Sequence, residues 1–268
     1  MRSQVTLREG EYFGTVVKSF DNPLFTCNLT SYGARTAIKH HYHENSYVSL
    51  LINGAYEEKN RTENKLLQTG QAIFRPRMYT HANDFQSAGG TCFNIAFKEG
   101  GMEGLDHPLT APEKKHLYPS GALSSLYRLF HYFMHDPRED LYTESILGLV
   151  KEIGGHRGGK TSLAWIGKAK HILENEHEQH HTLHSIAGRV FVHPVYLARA
   201  FKAQTGYTLG EYQLMYKLRK TVSLLLHTGA PLNEIAFRTG FYDPAHFTHS
   251  FKMMYGLSPK KFRFLAKS

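Results

Sequence analysis

Cysteine is scarce in this 268-residue chain, with only Cys27 and Cys92, and tryptophan occurs once. Two thiols cannot build a disulfide framework or a four-sulfur metal site. Both lie in apolar, strand-like stretches, so reduced buried thiols are expected. Long apolar runs are missing too, and the opening Met1-Arg2-Ser3-Gln4-Val5-Thr6-Leu7-Arg8-Glu9 has no secretory core. No membrane partner and a cytoplasmic location are therefore expected. Acid is lacking at one end. Residues 157 to 268 hold 16 Lys and Arg against 6 Asp and Glu, net +10, whereas residues 1 to 156 hold 16 against 17, net −1. Such segregation attracts phosphate without regard to sequence, with an affinity that falls as salt rises.

The length suits two domains, each large enough for its own core. The break is expected at Gly154-Gly155-His156-Arg157-Gly158-Gly159, a glycine-dense stretch with nothing to bury. This gives a domain at 1–153, a linker at 154–160 and a second domain at 161–268. Gly154 through Thr161 also fits the phosphate-loop pattern G-x-x-x-x-G-K-[ST]. That loop needs a buried strand before it, and Leu141 to Ile153 reads as a helix, so nucleotide binding is not expected.

The first half reads as β. Tyr12 to Phe20, Leu24 to Thr30, Tyr47 to Ile52, Gln71 to Arg75 and Thr91 to Phe97 are short β-branched and aromatic runs parted by Gly, Pro, Asn and Asp, a spacing that suits a barrel or sandwich. Asn53-Gly54, between two such runs, predicts a two-residue hairpin turn. Leu123, Leu126, Tyr127, Phe130 and Phe133 then repeat at helical spacing, and Asp136-Pro137-Arg138-Glu139 opens another helix, predicting an antiparallel helix pair.

The last third is helical. In Pro231-Leu232-Asn233-Glu234-Ile235-Ala236-Phe237-Arg238-Thr239-Gly240-Phe241-Tyr242-Asp243-Pro244, two helices meet at a glycine, the device that lays a helix in the DNA major groove. Asp243 is a good N-cap and Pro244 suits the first helical position. Phe247 and Phe251 form the buried stripe of the following helix, leaving Ala245, His246, His249 and Lys252 as candidate DNA-facing residues. After Tyr255-Gly256, Ser258-Pro259 caps a short helix whose Lys260, Lys261 and Arg263 suit phosphates. Glu211 to His227 carries Leu214, Leu218, Val222 and Leu225 at helical spacing and reads as a connecting helix packed into core. The histidines His177, His180, His181 and His184 have the spacing of one helical face, but Thr182 is an N-cap for a helix starting at Leu183. The run therefore straddles a helix end, and a solvated turn is expected rather than a metal site.

From about Trp165 to Arg263 the chain resembles the AraC/XylS family of bacterial transcription regulators, in its Glu-Ile-Ala, Gly-Phe, Phe-(x)3-Phe and Gly-(x)-Ser-Pro order. The family's first helix pair is matched by Leu183 to Arg189 and His193 to Gly206, with Val190-Phe191-Val192 at a turn where relatives carry a small residue or glycine. The resemblance implies that Val195, Tyr196, Arg199 and Lys202 face DNA, with Arg199 contacting guanine bidentately or a phosphate. His249 stands where relatives often have arginine, which shifts specificity toward the first pair. Double-stranded promoter DNA is thus the expected partner, with RNA polymerase as a second where the protein activates and a nucleoid-associated place when DNA is bound.

The order Gly33, His41-Tyr42-His43, Gly54, Gly70, Pro76, His81 resembles the two motifs of the cupin barrel, a common sensor half of that family. The implied fold class is α+β: an N-terminal cupin-like β-barrel with a helix pair that often mediates homodimerisation, then an all-α domain with two helix-turn-helix motifs. Metal-bearing cupins use three histidines and a glutamate. Here His41, His43 and His81 match, and Tyr47 stands at the glutamate position. Two readings stay open: a divalent first-row metal held by the three histidines, or polar lining that requires no cofactor. On the second, His41, His43, Tyr47, Tyr56 and His81 line a pocket for a small-molecule effector. The expected function is a one-component, non-enzymatic regulator. The alternative is a metal-dependent cupin enzyme fused to a DNA-binding domain.

Overall fold

In a computed structural model the described residues are 5–98, 115–135, 139–154 and 163–267. They fall into two compact units, one from Met1 to Gly154 together with Phe264 onward, the other from Gly155 to Arg263. The glycine-dense stretch read as a linker lies, after Gly154, outside the described residues, as do Asp136-Pro137-Arg138 at the start of the second predicted helix.

The first unit holds β1 (Val5–Leu7), β2 (Thr15–Asp21), β3 (Phe25–Tyr32), β4 (Ala37–His43), β5 (Tyr47–Lys59), β6 (Asn64–Gln68), β7 (Ala72–Arg75), β8 (His81–Phe97) and β9 (His116–Tyr118). They form one mixed sheet whose main path is β1-β4-β8-β5-β7-β9, with β2 joined through β3 to β8 and β6 paired with β5. The 13-residue β5 and 17-residue β8 are its spine, antiparallel along their length. One half of this ribbon pairs with β3 and β7, the other with β4 and β6. Ile38, Leu51, Tyr56, Leu67, Ile73, Phe85 and Cys92 share one buried cluster. They come from both halves, so the sheet folds over on itself.

The bend explains a failed expectation. Asn53-Gly54 makes no hairpin turn; β5 runs straight through it. The pairing with β8 shifts register on both sides of the dipeptide, as at a β-bulge. Gly54 has φ 85°, and a Cβ there would lie 2.1 Å from the Gly89 carbonyl oxygen. Glycine serves here for the close approach of two bending strands, which in sequence looks like a turn signal.

Two helices complete this unit, α1 (Ser124–His135) and α2 (Glu139–Gly154). They are antiparallel, as the pattern predicts: Ser124 at the start of α1 donates to Glu152 near the end of α2 at 2.6 Å, and Glu152 also accepts from the Ser125 amide. That carboxylate satisfies free N–H groups at a helix start. Phe130 and Phe133 lie 5.3 and 5.1 Å from the Phe93 ring of β8, fixing the pair to the sheet.

The second unit holds α3 (Ala164–Asn175), α4 (Leu183–Val190), α5 (Pro194–Thr205), α6 (Leu209–His227), α7 (Leu232–Arg238), α8 (Pro244–Tyr255) and the part of α9 (Pro259–Lys267) up to Arg263. Local chemistry sets most ends. Thr182 and Thr208 form reciprocal capping boxes with Ser185 and Glu211. Asp243 accepts from the Ala245 and His246 amides at 2.9 and 3.1 Å, and Gly206 and Gly256 close α5 and α8 in the left-handed region. Ile186, Ala187, Leu197, Phe201, Leu209, Tyr212 and Met215 share a core built from α3 to α6. Phe247, Phe251, Tyr255 and Phe262 pack as a chain of rings between α8 and α9. The second histidine cluster straddles the end of α3 and the cap of α4, as expected, but the turn is not wholly solvated: His181 is buried, its Nε2 3.1 Å from the Glu176 carbonyl.

Candidate nucleic-acid interface and histidine chamber

The pairs α4–α5 and α7–α8 repeat one design. Leu197, Phe201, Lys202 and Gly206 of the first recur as Phe247, Phe251, Lys252 and Gly256 of the second, each fifty positions on. The apolar members are buried at 1% exposure or less. Each second helix starts on a proline behind a capping side chain, His193 or Asp243. The opposite face is open: Val195, Tyr196, Arg199 and Lys202 are exposed on α5, and Ala245, His246, His249 and Lys252 on α8. Tyr196 is braced by Trp165, ring to ring at 5.6 Å.

Lys260 and Lys261 are also exposed. Arg263 is half-buried and donates from Nη2 to the Ala230 carbonyl at 2.7 Å, which ties α9 to the loop before α7. Arg189, on α4, makes two 2.6 Å bonds to the Glu176 carboxylate. Lys217 of α6 donates to the Gly240 carbonyl at 2.7 Å, and burial lowers its pKa. Neither role shows in the sequence, because the partners meet only once the helices pack.

In the first unit the three candidate histidines converge. His41 and His43, two apart on β4, point to one side, and His81 opens β8, paired with His41. One ligating atom of each lies within 4.8 Å of the others, and all three residues are buried. His41 Nδ1 faces the Lys39 carbonyl at 2.9 Å and His81 Nδ1 the Tyr79 carbonyl at 3.1 Å. A carbonyl only accepts, so each Nδ1 carries the proton, and in the neutral ring Nε2 keeps its lone pair. The Tyr47 hydroxyl donates to that lone pair on His81 at 2.9 Å. Burial lowers the pKa of His41 to about 4 and of His43 to about 3, with His41 lowering His43 further. It holds His81 well below the usual imidazole range, with the Arg75 guanidinium adding to the effect. The rings are thus neutral at pH 7, the form that binds metal.

Tyr47 and Tyr56 line the same chamber, a cavity of about 30 Å³. That volume suits an ion or a few waters. Its polar floor was not legible in the sequence. Arg75 of β7 donates to Glu58 through Nε at 2.8 Å and also through Nη2, to Tyr56 Oη at 2.8 Å and to Ser49 Oγ at 3.2 Å. Ser49 bonds Asn94 at 2.6 Å, and Asn94 reaches Asn28 and Thr30 at 3.0 and 3.1 Å. The Tyr56 hydroxyl is therefore committed to Arg75. Burial pushes the Cys92 thiol up to about 12, and Cys27 is raised by the same cause. Both cysteines are free and buried, as expected.

Residues 186–264 match a helix-turn-helix domain family, and the fold and its open helix faces define that class. The chain is 25% identical to the uncharacterised HTH-type transcriptional regulator YisR of Bacillus subtilis (strain 168) over 191 residues, 68% of this chain and 66% of the relative. It is 32% identical to the uncharacterised HTH-type transcriptional regulator YtdP of the same organism over 93 residues, 35% of this chain and 12% of the relative. The HTH-type transcriptional activator RhaS of Escherichia coli is 39% identical over 67 residues, 25% of this chain and 24% of the relative. The match thus spans from 12% to 66% of these relatives' length. Among solved structures, the C-terminal domain of AraT, a response regulator from Geobacillus stearothermophilus, aligns at 31% identity over 38% of this chain and 85% of that one, TM-score 0.37. ToxT from Vibrio cholerae O395 aligns at 11% identity over 91% of this chain and 98% of that one, TM-score 0.40. These matches make the chain similar to transcriptional regulators of the AraC/XylS type, through a helix-turn-helix domain at residues 186–264.

Proposed function

We propose that this protein is a cytoplasmic, sequence-specific regulator that binds double-stranded promoter DNA through two helix-turn-helix units, under the control of a cupin-like N-terminal half. The observation that carries this reading is the repeat itself: α5 and α8 share a buried apolar stripe and an opposite exposed face ending in Lys202 and Lys252. In helix-turn-helix proteins the second helix enters the major groove and its first residues meet base edges. Val195, Tyr196, Arg199, Ala245, His246 and His249 then face bases, and Lys202, Lys252, Lys260 and Lys261 face phosphates. Arg263 serves chiefly to hold α9 in place. RNA polymerase is a further partner where the protein activates, and the α1–α2 pair is the proposed homodimer face. The test is selection of duplexes from a random pool with the full chain. Enrichment of one bipartite sequence supports the reading, and uniform retention of the pool overturns it.

The histidine chamber favours a second proposal for the N-terminal half. His41, His43 and His81 offer three neutral imidazoles, with two rings oriented by backbone carbonyls in the manner of metal-ligating histidines. That donor set fits a divalent first-row cation, which would supply Lewis acidity and a fixed charge at the chamber. The chain's own part is to orient the rings and keep them neutral. The matched relatives are transcriptional regulators, which supports a sensing role for this chamber over a catalytic one.

A further inference from the structure

On the reading that α5 enters the major groove, its leading residues carry information about which bases it meets. The first two side chains after Pro194 are Val195 and Tyr196, exposed at 53% and 52%. Arg199 and Lys202 follow on the same face, exposed and basic. The leading turn is thus apolar and aromatic, flanked by cations that suit a polyanion. No acidic residue lies within α5.

We infer that Val195 and Tyr196 are specificity residues that select thymine by its 5-methyl group. In the major groove each base pair displays hydrogen-bonding groups at N7, O6, N6, N4 or O4, and the thymine methyl is the apolar feature among them. Valine can neither donate nor accept. Docked on guanine, cytosine or adenine, it strips water from a polar edge and returns nothing, which is costly. Docked on thymine, it buries a methyl group against methyl groups. Discrimination therefore arises mostly from the penalty at wrong bases. Tyr196 adds a ring whose position the Trp165 contact restricts, so little side-chain freedom is lost on docking. Its hydroxyl is free to reach a phosphate or a base acceptor while the ring edge covers the methyl.

The spacing extends the inference. Val195 and Arg199 are one helical turn apart, about 6 Å along the axis at 1.5 Å per residue. Base pairs stack at 3.4 Å. The thymine met by Val195 therefore lies within about two base pairs of the base met by Arg199, whose preferred partner is guanine. The first half-site thus contains thymine and guanine as near neighbours.

The experiment uses the full chain and a duplex selected from a random pool, with affinity read by fluorescence anisotropy at fixed salt. Each thymine is replaced in turn by deoxyuridine, which removes the methyl and leaves pairing unchanged. Wild-type protein should lose about fourfold in affinity at one or two thymines of one half-site, the size expected for one buried methyl. V195A or Y196A should lose that sensitivity. Both positions are exposed, so the variants keep the fold, and the wild-type measurement needs no variant. A selected site without any deoxyuridine-sensitive thymine overturns the inference while leaving the DNA-binding reading intact. So does sensitivity that persists unchanged in both variants. Failure to select any sequence overturns the DNA-binding reading itself, and the inference with it.

Discussion

Phe191 and Gly240 hold the same place in the two helix pairs: each is a left-handed residue just after the first helix, at φ 57° and 78°. The residues that follow them close both turns with the same bond, Val192 N–H to the Ala187 carbonyl at 3.1 Å and Phe241 N–H to the Ala236 carbonyl at 2.9 Å. This is the six-residue closure of a Schellman motif. The unusual Val190-Phe191-Val192 sequence therefore makes the backbone turn that glycine makes in the second pair. The Phe191 ring is left 88% exposed.

The contrast sets opposite expectations for the two positions. Left-handed geometry costs a non-glycine residue about 1–2 kcal/mol, and glycine adds about 0.5–1 kcal/mol of unfolded-state entropy. F191G should thus raise stability by up to about 1 kcal/mol, read as a urea midpoint shift at constant m-value. A loss beyond about 1 kcal/mol would mean that the ring packs against something. At Gly240 a Cβ would lie 2.8 Å from the His177 carbonyl oxygen and 2.9 Å from the Glu178 Cα. G240A should cost about 2–4 kcal/mol, combining the backbone term with overpacking.

Arg199 is exposed on the face of α5 proposed to meet bases. R199A should weaken binding to the selected duplex by about 1–3 kcal/mol and relax preference at one base pair. Uniform weakening across all sequences, with a shallower salt dependence, would instead place Arg199 on a phosphate. No change in either property would remove it from the interface.

Elemental mass spectrometry of untagged protein purified without chelator tests the chamber. Near-stoichiometric metal that disappears in H81A is the expected result if the three histidines bind a cation. Well-folded wild type without metal would leave them as polar lining. Tyr47 sharpens the test, because its hydroxyl occupies His81 Nε2. Removing that competing bond in Y47F should tighten zinc binding by up to about tenfold, the value of a net hydrogen bond. Weaker binding would make the phenol a ligand in its own right.

Acid should destabilise the metal-free first unit before its carboxylates titrate. An unfolded histidine takes a proton near 6.5, whereas folded His41 does so only near 4 and folded His43 near 3. Their contribution is fully present above about pH 6.5 and is lost as pH falls through that window, because the unfolded chain binds protons first. The slope is up to about 1.4 kcal/mol per pH unit for each neutral histidine. Urea midpoints between pH 6.5 and 5 should fall in wild type and stay flatter in H41Q/H43Q. Parallel slopes would mean that these rings titrate normally.

What was legible in the sequence was mostly local. The proline and aspartate that start α8, the glycine that ends it and the spacing of Phe247 and Phe251 act within a turn or two of chain, and the helix lies where they place it. The convergence of His41, His43 and His81 came from resemblance, since the pairing of β4 with β8 is set by distant residues. The misread Asn53-Gly54 and the unseen network of Arg75, Glu58, Ser49 and Asn94 have one cause. Both depend on how β5 and β8 bend together at Gly54 and Gly89, and a bent strand shared by two halves of a sheet has no short sequence period.

The long helix α6 carries Tyr212 and Met215 into the core of the first helix pair, and its Lys217 grips the turn of the second. Its 19 residues are about 28 Å long at 1.5 Å per residue. A ruler of that kind has one graduation. If both pairs dock on one duplex, the distance between half-sites is written into this helix as firmly as base identity is written into α5. Adding a few base pairs between the half-sites would then turn one of them away from the face of the DNA that the protein can touch.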